Sequence, residues 1–103
     1  MTQPEARLQR RIQDALKLEG YFVFKVHGSE MMMAGLPDLI VCAHGLFIGL
    51  EVKMPDAMNN VSNVQKHVHG KIRTAGGVAE VVCSPQQALD VIDQTLTAAG
   101  IVQ

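Results

Sequence analysis

Aromatic residues are scarce in this chain of 103 residues. Tyr21, Phe22, Phe24 and Phe47 are the full set, and tryptophan is absent. Nothing in their spacing interleaves rings with basic residues, so no pattern for stacking nucleic-acid bases is visible. Cysteine is limited to Cys42 and Cys83. Both lie in apolar, strand-like runs and read as small core residues, which excludes a disulfide framework and makes a reducing cytosol the expected compartment. No apolar run approaches the roughly 20 residues needed to span a bilayer. The first residues carry charge early and lack a signal-peptide core. Neither sign of charge dominates: nine Lys and Arg face ten Asp and Glu, for a formal net charge of −1. That excludes a generally basic coat but leaves room for a local basic patch. Zinc-type spacing is also missing. His67 and His69 are two apart and do not share a helix face, while His27 and His44 fall in different connections.

What is present is an apolar fraction of 48%, enough for one domain over residues 1–103 with a single core. Thr2-Gln3-Pro4-Glu5 has the form of a capping box with proline in the first turn. Leu8, Ile12, Ala15 and Leu16 continue it as a helical stripe that ends near Gly20. Residues 21–26 read as a strand and 27–35 as a loop. Strands at 39–43 and 46–53 flank His44-Gly45, a tight hairpin turn. After a loop at 54–61, Ser62 caps a helix with Val64, Val68, Ile72 and Ala75 in register, stopped by Gly76-Gly77. A strand at 78–83 follows. Ser84-Pro85 then opens a last helix with Leu89, Ile92, Leu96 and Ala99 on one face. The order α-β-β-β-α-β-α implies an α/β domain with a mixed central sheet flanked by helices on both faces.

The segment from Gly35 to Lys53 carries the chemistry. Gly35-Leu36-Pro37-Asp38 leads into one strand, and Glu51-Val52-Lys53 closes the next, with residues 39–50 between the two acids. Side chains alternate along a strand. Glu51 and Lys53 therefore share a face with Phe47 and Gly49, opposite Ile48, Leu50 and Val52. A carboxylate and an ammonium on a largely buried strand need a reason. A hard divalent cation held against a phosphodiester supplies one, since such a cation prefers carboxylates, carbonyls and water. Asp38 and Glu51 are the candidate ligands, with the backbone carbonyl of Val52 as a third. Lys53 would act on the attacking water or on the transition state. On spacing alone the pattern equally fits an exposed hairpin with a surface ion pair, worth little to stability.

Other positions have paired readings. Gln65 completes Ser62-x-x-Gln65, a capping box, or faces the site. Glu5 has the same alternative, and its spacing from Leu8 and Ile12 lets it face the sheet. His69, four residues after Gln65, is a candidate for lining a substrate groove. His27, Lys66, Arg7, Arg10 and Arg11 are candidate phosphate contacts or solvated surface. Met31-Met32-Met33 reads as a partly apolar loop or a partner interface.

Three stretches carry a resemblance: Gly35 to Val41, Gly45 to Lys53, and Ser62-Asn63-Val64-Gln65. Together they resemble the VRR-NUC family, a branch of the PD-(D/E)xK nucleases. The likeness runs from the first helix to about Pro85, and a chain with little room for anything else resembles the small stand-alone phage type. It departs from the pattern in a longer 54–61 loop. The resemblance implies a restriction-endonuclease-like core and a Mg²⁺- or Mn²⁺-dependent nuclease acting on DNA. It also implies a homodimer that prefers branched DNA such as Holliday junctions. Carried over, the catalytic positions are Asp38, Glu51 and Lys53, with Gln65 and Glu5 in support. The competing reading is a non-catalytic DNA-binding or assembly module on the same fold, which metal-dependent cleavage would distinguish.

Overall fold

Pro4 opens the first helix, α1 (Pro4–Leu18), where its missing N–H has no intrahelical partner to lose. The N-cap is Gln3, without a side-chain cap bond. Thr2 of the expected capping box lies outside residues 3–101, which are those described in this computed structural model. Leu8, Ile12 and Leu16 are buried as the spacing requires, and Gln9 is buried with them. Gly20, at φ 87°, turns the chain into β1 (Phe22–Lys25). A long connection leads to β2 (Leu39–Ala43) and then β3 (Leu46–Val52). Between these strands His44 and Gly45 have φ of 50° and 80°, both positive, as a type I′ hairpin demands.

The 54–61 stretch contains a single 3₁₀ turn, Pro55–Ala57. It precedes α2 (Asn63–Thr74), which carries the chain back so that β4 (Val78–Val82) can lie parallel to β3. The last helix is α3 (Pro85–Ala98). The sheet order is β1-β2-β3-β4, with the first two pairings antiparallel. Among the described residues no helix is long and apolar enough to cross a membrane.

One face of the sheet carries two helices and is covered except at the β4 edge, where Glu80 is exposed. Leu39, Val41, Ile48, Leu50, Val52 and Val82 pack there against α1 and against Ala88, Ile92 and Leu96 of α3. The other face has only α2. A helix is about 10 Å across and strands are about 4.8 Å apart, so one helix shelters roughly two strands. The expectation of two covered faces is therefore met on one side and half met on the other. On the bare half Phe22, Phe24 and Phe47 remain 65%, 46% and 44% exposed. Cys42 shares that side by strand parity and is exposed, while Cys83 is half-buried, so neither is the core residue expected.

The buried stripe of α2 also differs from expectation. Val68 and His69 face the sheet, with Gln65 and Ile72 beside them, whereas Val64 is 52% exposed and Ala75 is exposed. The stripe is rotated by one position toward Gln65 and His69. Two polar side chains are thereby turned inward, which an apolar core alone would not favour.

Candidate active site

Gly49 makes the site possible. A Cβ there would sit 2.6 Å from Cγ of Pro37, so only glycine lets Pro37 lie flat on β3. Pro37 is buried, and the residue after it, Asp38, is fixed at the start of β2. The N–H of Val26 donates to the Asp38 carbonyl at 2.8 Å, continuing the β1–β2 ladder by one step. Gly49→Ala is expected to displace Pro37, cost about 1–3 kcal/mol of stability, and shift Asp38. Thermal denaturation reads the first effect, and divalent-cation affinity the second.

Leu39 lies opposite Leu50, so the register carries Asp38 across from Glu51. The two carboxylates thus meet at the end of the strand pair, as the sequence pattern implied. The Val52 N–H donates to Oδ2 of Asp38 at 2.8 Å. In an extended strand the N–H and C=O of one residue lie on the same edge, so the Val52 carbonyl shares the Asp38 side.

Glu51 is 1% exposed and is the centre of the arrangement. Its Oε2 accepts from Nε2 of Gln65 at 3.1 Å and lies 4.0 Å from Nζ of Lys53. Its Oε1 faces Nε2 of His69 at 3.4 Å, but neither atom has a hydrogen-bond partner. Burial pushes the Glu51 carboxyl up to about 8, helped by the hydrogen-bonding and negative charge of Asp38 and opposed by Lys53. Glu5, on the first turn of α1, adds a smaller upward push, which places its charge within reach of the site. His69 is held below the usual imidazole range, first by burial and then by Arg73.

Gln65 satisfies both of its readings at once. Its Oε1 accepts from the Ser62 N–H at 2.9 Å, and its own N–H donates to Oγ of Ser62 at 3.1 Å, completing the capping box. Its Nε2 remains for Glu51. Cap and site therefore fix each other's geometry, and the 54–61 loop does not keep Gln65 away.

His69 is corrected. With 2% exposure it has no surface for a DNA groove, and it addresses Glu51 instead. The signal was its i+4 spacing from Gln65, which puts both on one helix face. Arg7, Arg10, Arg11, His27 and Lys66 are all exposed. Arg7 and Arg11 line a hollow of about 300 Å³ with Met54, Pro55 and Cys83, beyond the ends of β3 and β4. Buried Gln9, whose Oε1 lacks a partner, was not singled out by the sequence.

Among the described residues no cluster of three or more His, Cys, Asp and Glu is poised around a metal position. The oxygen set of Asp38, Glu51 and the Val52 carbonyl nonetheless fits a hard cation. Mg²⁺ commonly takes one or two carboxylates and completes its shell with water and substrate oxygens. The unpartnered Oε1 of Glu51 is a buried acceptor of the kind a cation satisfies.

No family model and no curated protein matches the sequence. A solved structure described as a VRR_NUC domain does align, at 26% identity and a TM-score of 0.71, covering 89% of this chain and 97% of that one. The chain resembles that VRR_NUC domain over most of its length. Its mixed four-stranded sheet with three helices is a restriction-endonuclease-like fold, and a VRR-NUC domain is nuclease-type. Within that fold the two carboxylates stand at the end of the β2–β3 hairpin, on the side that α2 shelters.

Proposed function

We propose that this chain is a Mg²⁺- or Mn²⁺-dependent deoxyribonuclease that hydrolyses phosphodiester bonds. The carrying observation is Glu51, buried beside Asp38, with one oxygen unpartnered and its proton affinity raised. Two carboxyls side by side in a buried place need a retained proton or a cation between them, and the unpartnered oxygen favours the cation. Asp38, Glu51 and the Val52 carbonyl would hold the ion. Bound there, it supplies charge stabilisation for the phosphoryl oxygens and a water of lowered pKa. Gln65 holds Oε2 of Glu51 in place, while His69 walls in the unpartnered Oε1. Lys53 brings its ammonium to the attacking water or the phosphoryl group, and Glu5 supports the site from α1. Glu51 must release its proton to ligate, so cation affinity should rise with pH up to about 8.

The same reading extends to branched DNA, such as Holliday junctions, cut by a homodimer in a cytosolic compartment. Paired scissile strands suit two sites related by a two-fold axis. The loop carrying Met31, Met32 and Met33 offers apolar surface for the contact, with exposures of 93%, 44% and 62%. Sedimentation at micromolar concentration should give a dimer. A monomer that cuts four-way junctions fully at the same concentration would remove the paired-site argument. The activity itself is tested on linear, flap and four-way DNA with Mg²⁺, Mn²⁺ or EDTA. Cleavage dependent on the cation supports the proposal, and binding without cleavage under every condition favours the DNA-binding module.

A further inference from the structure

All three phenylalanines of the chain are solvent-exposed, and all lie on the sheet face that carries Asp38 and Glu51. Exposed large apolar groups gathered in one place call for a ligand. We propose that this bare half of the sheet is a stacking platform for unpaired DNA bases, with Phe22 and Phe24 as the stacking residues and α2 as its basic border. The proposal rests on the nuclease reading for the reason a DNA strand comes to this face.

Placement is the first argument. Val26 extends the ladder to Asp38, Phe24 lies opposite Ile40, and Phe22 lies opposite Cys42. At about 3.4 Å per residue, Phe24 is roughly 7 Å and Phe22 roughly 14 Å along the strands from the Asp38 row. A strand leaving the scissile position along β1 would pass both rings. Their centroids are 6.0 Å apart and their planes are inclined at 59°, so they are not stacked on each other. Faces remain for a partner's flat rings.

Charge is the second argument. The exposed positions of this half, Phe22, Phe24, Cys42 and Phe47, carry no charge that would repel a polyanion. The neighbouring helix α2 contains Lys66, Lys71 and Arg73 and no acid, although the whole chain has a net charge of −1. Arg73 is turned away to the outer edge of β4, where it donates to the Ala79 carbonyl at 2.6 Å, whereas Lys71 lies one turn before Ala75, which lines a hollow with Phe47. Aromatic rings beside a cationic border are what single-stranded nucleic acid selects.

Size separates this occupant from a second copy of the chain. The three rings together expose the area of about one and a half phenylalanines, roughly 300 Å². A stable protein interface needs about 800 Å² from each partner. Two nucleobases fit the smaller area.

The test is binding without cleavage, using the intact chain in EDTA, with oligo(dT) of 12 nucleotides and a blunt duplex as probes. Phe22→Ser/Phe24→Ser should weaken oligo(dT) binding about tenfold or more and change duplex binding less than twofold. Phe22→Tyr/Phe24→Tyr, which keeps both rings, should restore oligo(dT) affinity. Because the chain has no tryptophan, Phe22→Trp supplies a single reporter. Its fluorescence should be quenched by oligo(dT) and not by the duplex. Equal oligo(dT) affinity in wild type and the serine variant overturns the proposal. So does a serine variant that becomes monomeric while keeping its oligo(dT) affinity, which would assign the face to a second copy. Ring-dependent binding in a protein that never cleaves would sustain the platform and reject the nuclease reading. Cleavage with ring-independent binding would do the reverse.

Discussion

Lys53→Ala is expected to lower cleavage by roughly 10²–10⁴-fold while the protein stays folded and still binds a divalent cation. Lys53 follows the last residue of β3, and its side chain is 15% exposed. Its N–H donates to the Val82 carbonyl at 3.0 Å, a backbone bond that alanine retains. The ammonium lies 4.0 Å from Glu51, close enough to act at the site without being a cation ligand. Lys53→Arg should also be poor, because guanidinium differs in shape and cannot give up its proton. Single-turnover cleavage with saturating Mg²⁺, alongside calorimetric cation binding, reads both effects. A variant cleaving near the wild-type rate would take Lys53 out of the mechanism.

Glu51→Gln should abolish cation binding and yet stabilise the cation-free protein. Glutamine has nearly the same shape and can still accept from Gln65, but it brings no charge to a buried position. The pH dependence follows from the direction of the Glu51 shift. Its folded value, about 8, lies above the ordinary 4.5. Between those values the unfolded chain has lost the proton and the folded chain keeps it. Wild-type stability must then fall as pH rises through that window, by at most about 1.4 kcal/mol per pH unit, and level off above it. Glu51→Gln lacks this slope, so its advantage should grow up to about pH 8. Urea denaturation in EDTA across pH 5–8.5 is the check. Parallel stability curves for the two proteins would mean that Glu51 is not held neutral by its surroundings.

Elements with a strong local pattern were legible in the sequence. The β2 bounds, the His44-Gly45 turn and the parity of Glu51 with Gly49 all follow from alternation and turn chemistry. The meeting of Asp38 and Glu51 followed from the same alternation, because two antiparallel strands with a two-residue turn have little freedom of register. Less legible was anything decided between elements. The rotation of α2 toward Gln65 and His69 depends on a polar contact with Glu51, and apolar periodicity favoured Val64 instead. The exposure of Cys42, Phe22 and Phe24 depends on how much sheet a single helix can cover, which strand composition does not record. Gly49 could be read as leaving room beside the charges, but not as room filled by Pro37, since that contact comes from the path of a loop.

The central claim is that Asp38 and Glu51 hold a cation for phosphodiester hydrolysis. A crystal structure grown with Mn²⁺, using its anomalous signal, tests it most directly. One ion should touch both carboxylates, with Gln65 still donating to Glu51 and Lys53 outside the coordination shell. An ion bound elsewhere, with Asp38 and Glu51 turned apart, would contradict it.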